Sequence, residues 1–101
     1  MLPSSTPVCF SEDLKLSIRT LERLRKQREF RELNAALFAK LSPREVEVLT
    51  LVCQGNTNDE IGQKLFRATN TIRTHRNNIW RTLGIRSVVE AVWWGESFDL
   101  V

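Results

Sequence analysis

"ATNTIRTHRNNIWRTLGI", residues 68–85, is the stretch on which the fold turns. At 3.6 residues per turn, Ile72, Ile79 and Leu83 fall on one side of a helix, with His75 near the edge of that stripe. The opposite side carries Asn70, Arg73, Thr74, Asn77 and Arg81. An apolar stripe is what a helix needs in order to dock on a core. Docking does not call for arginines and asparagines on the other side, so that side asks for a separate explanation. Gly84 follows the last stripe residue, where a left-handed C′ position ends helices. A helix over about 70–83 is expected.

Upstream and downstream, the punctuation is regular. "SPRE" (42–45), "TNDE" (57–60) and "SVVE" (87–90) each place Ser or Thr three residues before Glu. That is the capping box, in which the hydroxyl accepts from the N3 amide and the glutamate reaches back to the cap amide. Pro43 sits at a first helical position, where a missing N–H costs nothing. Gly55, Gly84 and Gly95 stand where helices would end. Together these marks predict short helices near 43–54, 58–66, 70–83 and 88–95, and no segment alternates as a strand does. Only "FRAT" (66–69) separates the second and third, so these two helices must cross. A helix-turn-helix has this layout, with its second helix offered to the major groove of DNA.

The formal charge of the 101-residue chain is +3 and its pI about 9.3, which by itself says little. Its distribution says more. From Ile61 to Val89 there are six Lys or Arg and no Asp or Glu. One-signed charge of this kind points to an anionic partner; a solvated basic surface is the plainer explanation. The polar side of the 70–83 helix also has base-reading chemistry. Arginine donates in pairs to guanine, asparagine pairs with adenine, and threonine offers a hydroxyl and a methyl.

Residues 41–95 resemble the LuxR/FixJ/GerE-type DNA-binding domain of bacterial transcription regulators. The likeness is carried by "LSPREVEVLTLVCQGNTNDEIGQKL" (41–65), "NTIRTHRNNIWRTLGI" (70–85) and "EAV" (90–92). It implies a four-helix bundle whose third helix reads the major groove. It also implies dimers on inverted or direct half-sites, often with the fourth helix at the dimer contact. Carried over by position, base reading falls to Arg73, Thr74 and Asn77. Phosphate contacts fall to Thr57 or Asn58, to Thr69 and Thr71, and to Arg76 and Arg81. The family often has lysine where this chain has Asp59, so no contact is carried over there. Ala68 stands in place of the usual serine cap and Arg67 in place of an aliphatic residue. Thr69 is therefore expected to cap, shifting the helix start by one residue, and Arg67 becomes a further phosphate candidate. Val88 replaces the arginine that precedes the family's fourth helix.

The remaining segments are less marked. Residues 1–10, with two prolines and three hydroxyl residues, read as a flexible arm. Residues 11–39 read as a long N-terminal helix, acting as a linker or in dimerisation, with Ser11 suited to cap it. Leu14, Ile18, Leu21 and Leu24 form a stripe that breaks in "RLRKQREFRE" (23–32), and Arg25 and Arg28 fall on the seam a coiled coil would use. In the last helix Val88, Val89, Ala91, Val92, Trp93 and Trp94 crowd seven positions. Two turns cannot hide them all in one small core, so Val88, Val92 and Trp94 are assigned to a dimer contact; the alternative is that the long N-terminal helix, through its Leu14, Ile18 and Leu21 stripe, covers the patch within the chain or pairs across subunits.

The two cysteines, Cys9 and Cys53, make no disulfide scaffold, and with a single histidine no metal site can be drawn. No signal peptide or membrane-length apolar run is present, so a cytoplasmic setting is expected. There is no paired-carboxylate cleft, nucleophile–base pair or glycine-rich loop, so no enzyme, cofactor or small-molecule ligand is expected. The expectation is an all-α protein: a four-helix helix-turn-helix bundle (40–101) preceded by a long helix. Its expected function is sequence-specific regulation of transcription on double-stranded DNA, as a homodimer, with RNA polymerase as a further partner. A sigma-factor region-4-like module and a helical protein-interaction module are the alternatives. No sensor domain is visible, so the chain is either a bare regulator or the tail of a longer protein.

Overall fold

The computed structural model describes residues 11–101, with side chains from residue 17 onward. The arm assigned to residues 1–10 lies outside the described residues. Five α-helices form: α1 (Ser11–Phe38), α2 (Pro43–Cys53), α3 (Asn58–Leu65), α4 (Thr69–Leu83) and α5 (Val88–Ser97).

The caps act locally. Ser42 Oγ accepts from the Glu45 amide and Glu45 Oε1 from the Ser42 amide, at 3.1 and 2.9 Å. Thr57 and Glu60 repeat the exchange at 3.2 and 2.8 Å. The third box is only half made. Ser87 Oγ accepts from the Glu90 amide, but Glu90 Oε1 accepts from the Arg86 amide, one residue short of the cap.

Val48, Leu49 and Val52 of α2 meet Ile61 of α3, Ile72, Ile79 and Leu83 of α4, and Ala91 and Trp94 of α5 in one core. Burying each of the Val, Leu and Ile side chains among them stabilises the fold by roughly 1.5–3 kcal/mol. Cys53 at the end of α2 is free, half-buried, and donates to the Ala91 carbonyl at 3.2 Å. Burial pushes this thiol's pKa up, the Glu96 charge adds to the effect, and a backbone hydrogen bond at Gly95 opposes it.

Gly95 does not end a helix. It lies buried inside α5, which runs on to Ser97. A Cβ at Gly95 would lie 2.5 Å from Cys53 Sγ. The residue is glycine because α2 and α5 approach closely, a tertiary demand that looks like a stop signal in the sequence.

Trp94 likewise corrects the expected dimer contact. It is 5% exposed. Phe30 of α1 meets its ring edge-on at 4.8 Å between centroids, and Phe98 stacks on it at 5.6 Å. Phe30 also meets Trp93 edge-on at 5.7 Å, and Phe38 stacks on Phe98 at 4.1 Å. Arg31 adds a hydrogen bond to the Ser97 carbonyl at 2.7 Å. The two-sided apolar character of α5 is thus explained: one side faces α2 and the other faces the C-terminal half of α1.

The N-terminal half of α1 is different. Ile18, Leu21 and Leu24 are 48, 65 and 53% exposed. By helical register Leu21 lies roughly opposite Phe30 and Leu37, which hold α1 to the core, and Ile18 about 110° round the helix from them. The molecule is accordingly elongated, 56 × 28 × 25 Å.

Gly95→Ala is expected to lower unfolding stability by about 1–3 kcal/mol through overpacking. Denaturant titration checks this. Adding Cys53→Ala should recover part of the loss, because it removes the sulfur that the new methyl meets.

Candidate nucleic-acid interface

The crossing of α3 and α4 depends on two backbone features. Phe66 ends α3 in the left-handed region (φ 57°, ψ 48°) although it is not glycine. The Arg67 amide then donates back to the Gly62 carbonyl at 2.8 Å. A Cβ at Gly62 would lie 2.6 Å from the Arg67 carbonyl oxygen. Glycine there lets the chain leaving the turn pass against α3. Sequence reasoning missed Gly62, since nothing in its neighbours announces the contact.

Helix α4 starts at Thr69, with Ala68 in the cap position and no side-chain cap. This corrects the expectation that Thr69 caps. Thr69 is instead the first helical residue, and its hydroxyl donates to Asp59 Oδ1 at 2.7 Å. The hydroxyl proton proposed for a phosphate is therefore engaged within the protein.

Ile72 and Ile79 are fully buried and Leu83 nearly so, which fixes the rotation of α4. Asn70, Thr71, Arg73, Thr74, Asn77 and Arg81 are all exposed, and His75 is half-buried at the edge. The outer side is ordered by its own bonds. Arg73 donates to Asn70 Oδ1 at 2.9 Å, and Arg81 to Asn78 Oδ1 at 3.3 Å. Thr74 donates to the Asn70 carbonyl at 3.1 Å, so its hydroxyl proton is held along the helix. Asn70 thereby orients two of the three expected base readers.

Arg76 is placed elsewhere. It is half-buried, donates to Asn58 Oδ1 at 3.0 Å, and lies over the Trp80 ring, 5.0 Å from its centroid. The structure uses it to brace α4 against the start of α3, in the crevice and not on the outer side. Asn58 is half-buried with it. Thr57 is exposed, and because its oxygen accepts from Glu60, its proton remains available to donate outward. Arg67 is exposed in the turn, donating to the Phe66 carbonyl at 3.1 Å. Of the expected residues, Thr57, Arg67, Thr71, Arg73, Thr74, Asn77 and Arg81 are thus exposed, while Asn58, Thr69 and Arg76 are drawn inward.

Val88 is 43% exposed and Val89 79%, while Val92 is half-buried. Among the described residues no group of His, Cys, Asp and Glu is arranged to hold a metal, and no helix is long and apolar enough to cross a membrane.

Two crossing helices, the second locked by an apolar stripe and exposing an acid-free polar side, define a helix-turn-helix DNA-binding domain. Residues 39–94 match the family model of bacterial regulatory proteins, luxR family, and the chain belongs to that family. It is 36% identical over 87 residues to the transcriptional regulatory protein LiaR of Bacillus subtilis (strain 168), covering 86% of this chain and 39% of that protein. It is 34% identical over 68 residues to the Fimbriae Z protein of Escherichia coli (strain K12), covering 67% and 32%. It is 42% identical over 55 residues to the oxygen regulatory protein NreC of Staphylococcus aureus (strain JH9), covering 54% and 25%. The chain spans well under half the length of each of these relatives.

The missing cap at Ala68 is open to repair. Ala68→Ser is expected to raise unfolding stability by about 0.5–1 kcal/mol, the usual worth of a side-chain cap. Thermal melts check this, and an unchanged midpoint would mean that solvent already satisfies the first-turn amides as well as a serine would.

Proposed function

We propose that the protein regulates transcription by binding duplex DNA as a dimer, with α4 in the major groove. Arg73, Thr74 and Asn77 read base edges. Thr57, Arg67, Thr71 and Arg81 hold phosphates, which fix the register of α4 in the groove without selecting sequence. The observation that carries this reading is the outer side of α4: exposed, free of acids, and ordered by Asn70. Arg76 and Asn58 contribute by bracing the two helices. The setting is cytoplasmic, and RNA polymerase is the partner through which bound protein changes transcription. Selection of bound sites from a random duplex library tests the reading and returns the half-site with its spacing, which reports the subunit arrangement.

Two substitutions separate base reading from backbone holding. Arg73→Ala should cost roughly 1–3 kcal/mol on the selected site and relax preference at one base pair. Arg81→Ala should weaken all duplexes alike and reduce the salt slope by about 1. Equal loss on selected and random DNA for Arg73→Ala would move it to the backbone set.

The dimer surface is Val88 and Val89, the exposed apolar residues of α5, with Val92 at its margin. The exposed Ile18 and Leu21 of α1 offer a second surface. Val88→Glu with Val89→Lys should give folded monomers in sedimentation if α5 makes the contact. Folded dimers from that variant, and monomers from Ile18→Glu with Leu21→Lys, would assign the contact to α1.

A further inference from the structure

The acid-free segment is not free of negative charge in space. Between Ile61 and Val89 the chain has no Asp or Glu, yet the Asp59 carboxylate reaches into that segment to accept from Thr69. Its neighbour Glu60 is directed away, into the Thr57 cap. Asp59 is exposed, and among the described residues no ion pair neutralises it. Arg67 lines the same shallow cleft as Asp59, with Gly62, Gln63, Phe66, Ala68 and Thr69, but its guanidinium turns to the Phe66 carbonyl. An unneutralised carboxylate therefore sits between the start of α3, with Thr57, and the start of α4, with Thr71. These flank the path proposed above for phosphates.

We propose that Asp59 is a specificity-determining residue with two opposed effects on DNA binding. Its charge repels the backbone of every duplex, and its hydrogen bond positions the first turn of α4 for base reading. The first effect lowers sequence-independent affinity, the part of binding that phosphate contacts supply. The second ties the first residue of α4 to α3, holding the start of α4, and with it Asn70 and Arg73, at a set distance from α3. The charge thus lowers affinity for all duplexes alike, and the hydrogen bond raises the selected-to-random ratio. The proposal rests on α4 being the recognition helix.

Two variants take the effects apart. Asp59→Asn keeps an oxygen acceptor for Thr69 and removes the charge. It should bind both the selected duplex and random duplex about fivefold tighter at low salt, the factor produced by one unit charge about 4 Å from a phosphate in water. The gain should shrink as salt is raised. Thr69→Val keeps the Asp59 charge and the side-chain shape and removes the donor. It should lower the selected-to-random affinity ratio, and Thr69→Ser should restore it. Melting curves establish that each variant is folded. Asp59→Asn binding no tighter than wild type overturns the proposal, as does a Thr69→Val ratio equal to wild type. Wild-type protein that shifts neither duplex at low salt would overturn the DNA reading itself, and the proposal with it.

Discussion

The approach of the Arg67 carbonyl to Gly62 is the constraint on which the rest of the molecule depends. It leaves no room for a side-chain carbon, so it sets how closely the chain leaving α3 can turn into α4. The left-handed Phe66 completes that turn, at a local cost of order 1–2 kcal/mol for a residue with a Cβ. The cost is sustained because Ile61 before the turn and Ile72 and Ile79 after it are fully buried. Once the crossing is set, the apolar stripe fixes the rotation of α4, and the side that meets solvent follows without further choice.

The exposed side of α4 shows how a small domain keeps a polar surface in order. Arginine side chains carry large rotamer entropy, and ordering them on contact weakens binding. Asn70 holds Arg73 and Thr74, while Asn78 holds Arg81. These bonds are exposed and individually weak, but they narrow the range of directions that the side chains sample. Arg76 follows the opposite course, lying over Trp80 and bonded to Asn58. Two arginines three residues apart on one helix thus serve different ends, one outward and one as a brace.

Local signals were legible in the sequence, and long-range ones were not. The Ser42 and Thr57 boxes and the Ile72–Ile79–Leu83 stripe depend on residues within a turn or two of each other, so their pattern predicts them. Gly84 ends α4 for the same reason, in the left-handed region at φ 69°. Gly95 misled because its role is set by Cys53, forty-two positions earlier in the chain. Trp94 is covered by the long N-terminal helix, the alternative to a dimer contact, but through Phe30 and not through the Ile18–Leu21 stripe that the periodicity offers. Thr69 is expected to cap because Ala68, at the homologous cap position, has no hydroxyl, yet the cap stays at Ala68 and the Thr69 hydroxyl is taken by Asp59, ten residues away. The α1 stripe was read correctly as periodic, but periodicity does not say whether a partner exists, and Ile18 and Leu21 remain in solvent.

Helix α1 also has a mechanical consequence. It is held at one end by Phe30 against Trp94 and by Phe38 against Phe98, and it continues without a break to Ser11. From Phe30 to Ser11 the arm is about 28 Å at 1.5 Å rise per residue, against about 12 Å between Phe30 and Phe38. The helix is therefore a lever whose fulcrum is the aromatic cluster. A lateral force at the Ser11 end is multiplied roughly twofold where the rings meet α5. Torque applied far from the reading surface would be felt first as strain on Trp94, at the joint between the arm and the bundle.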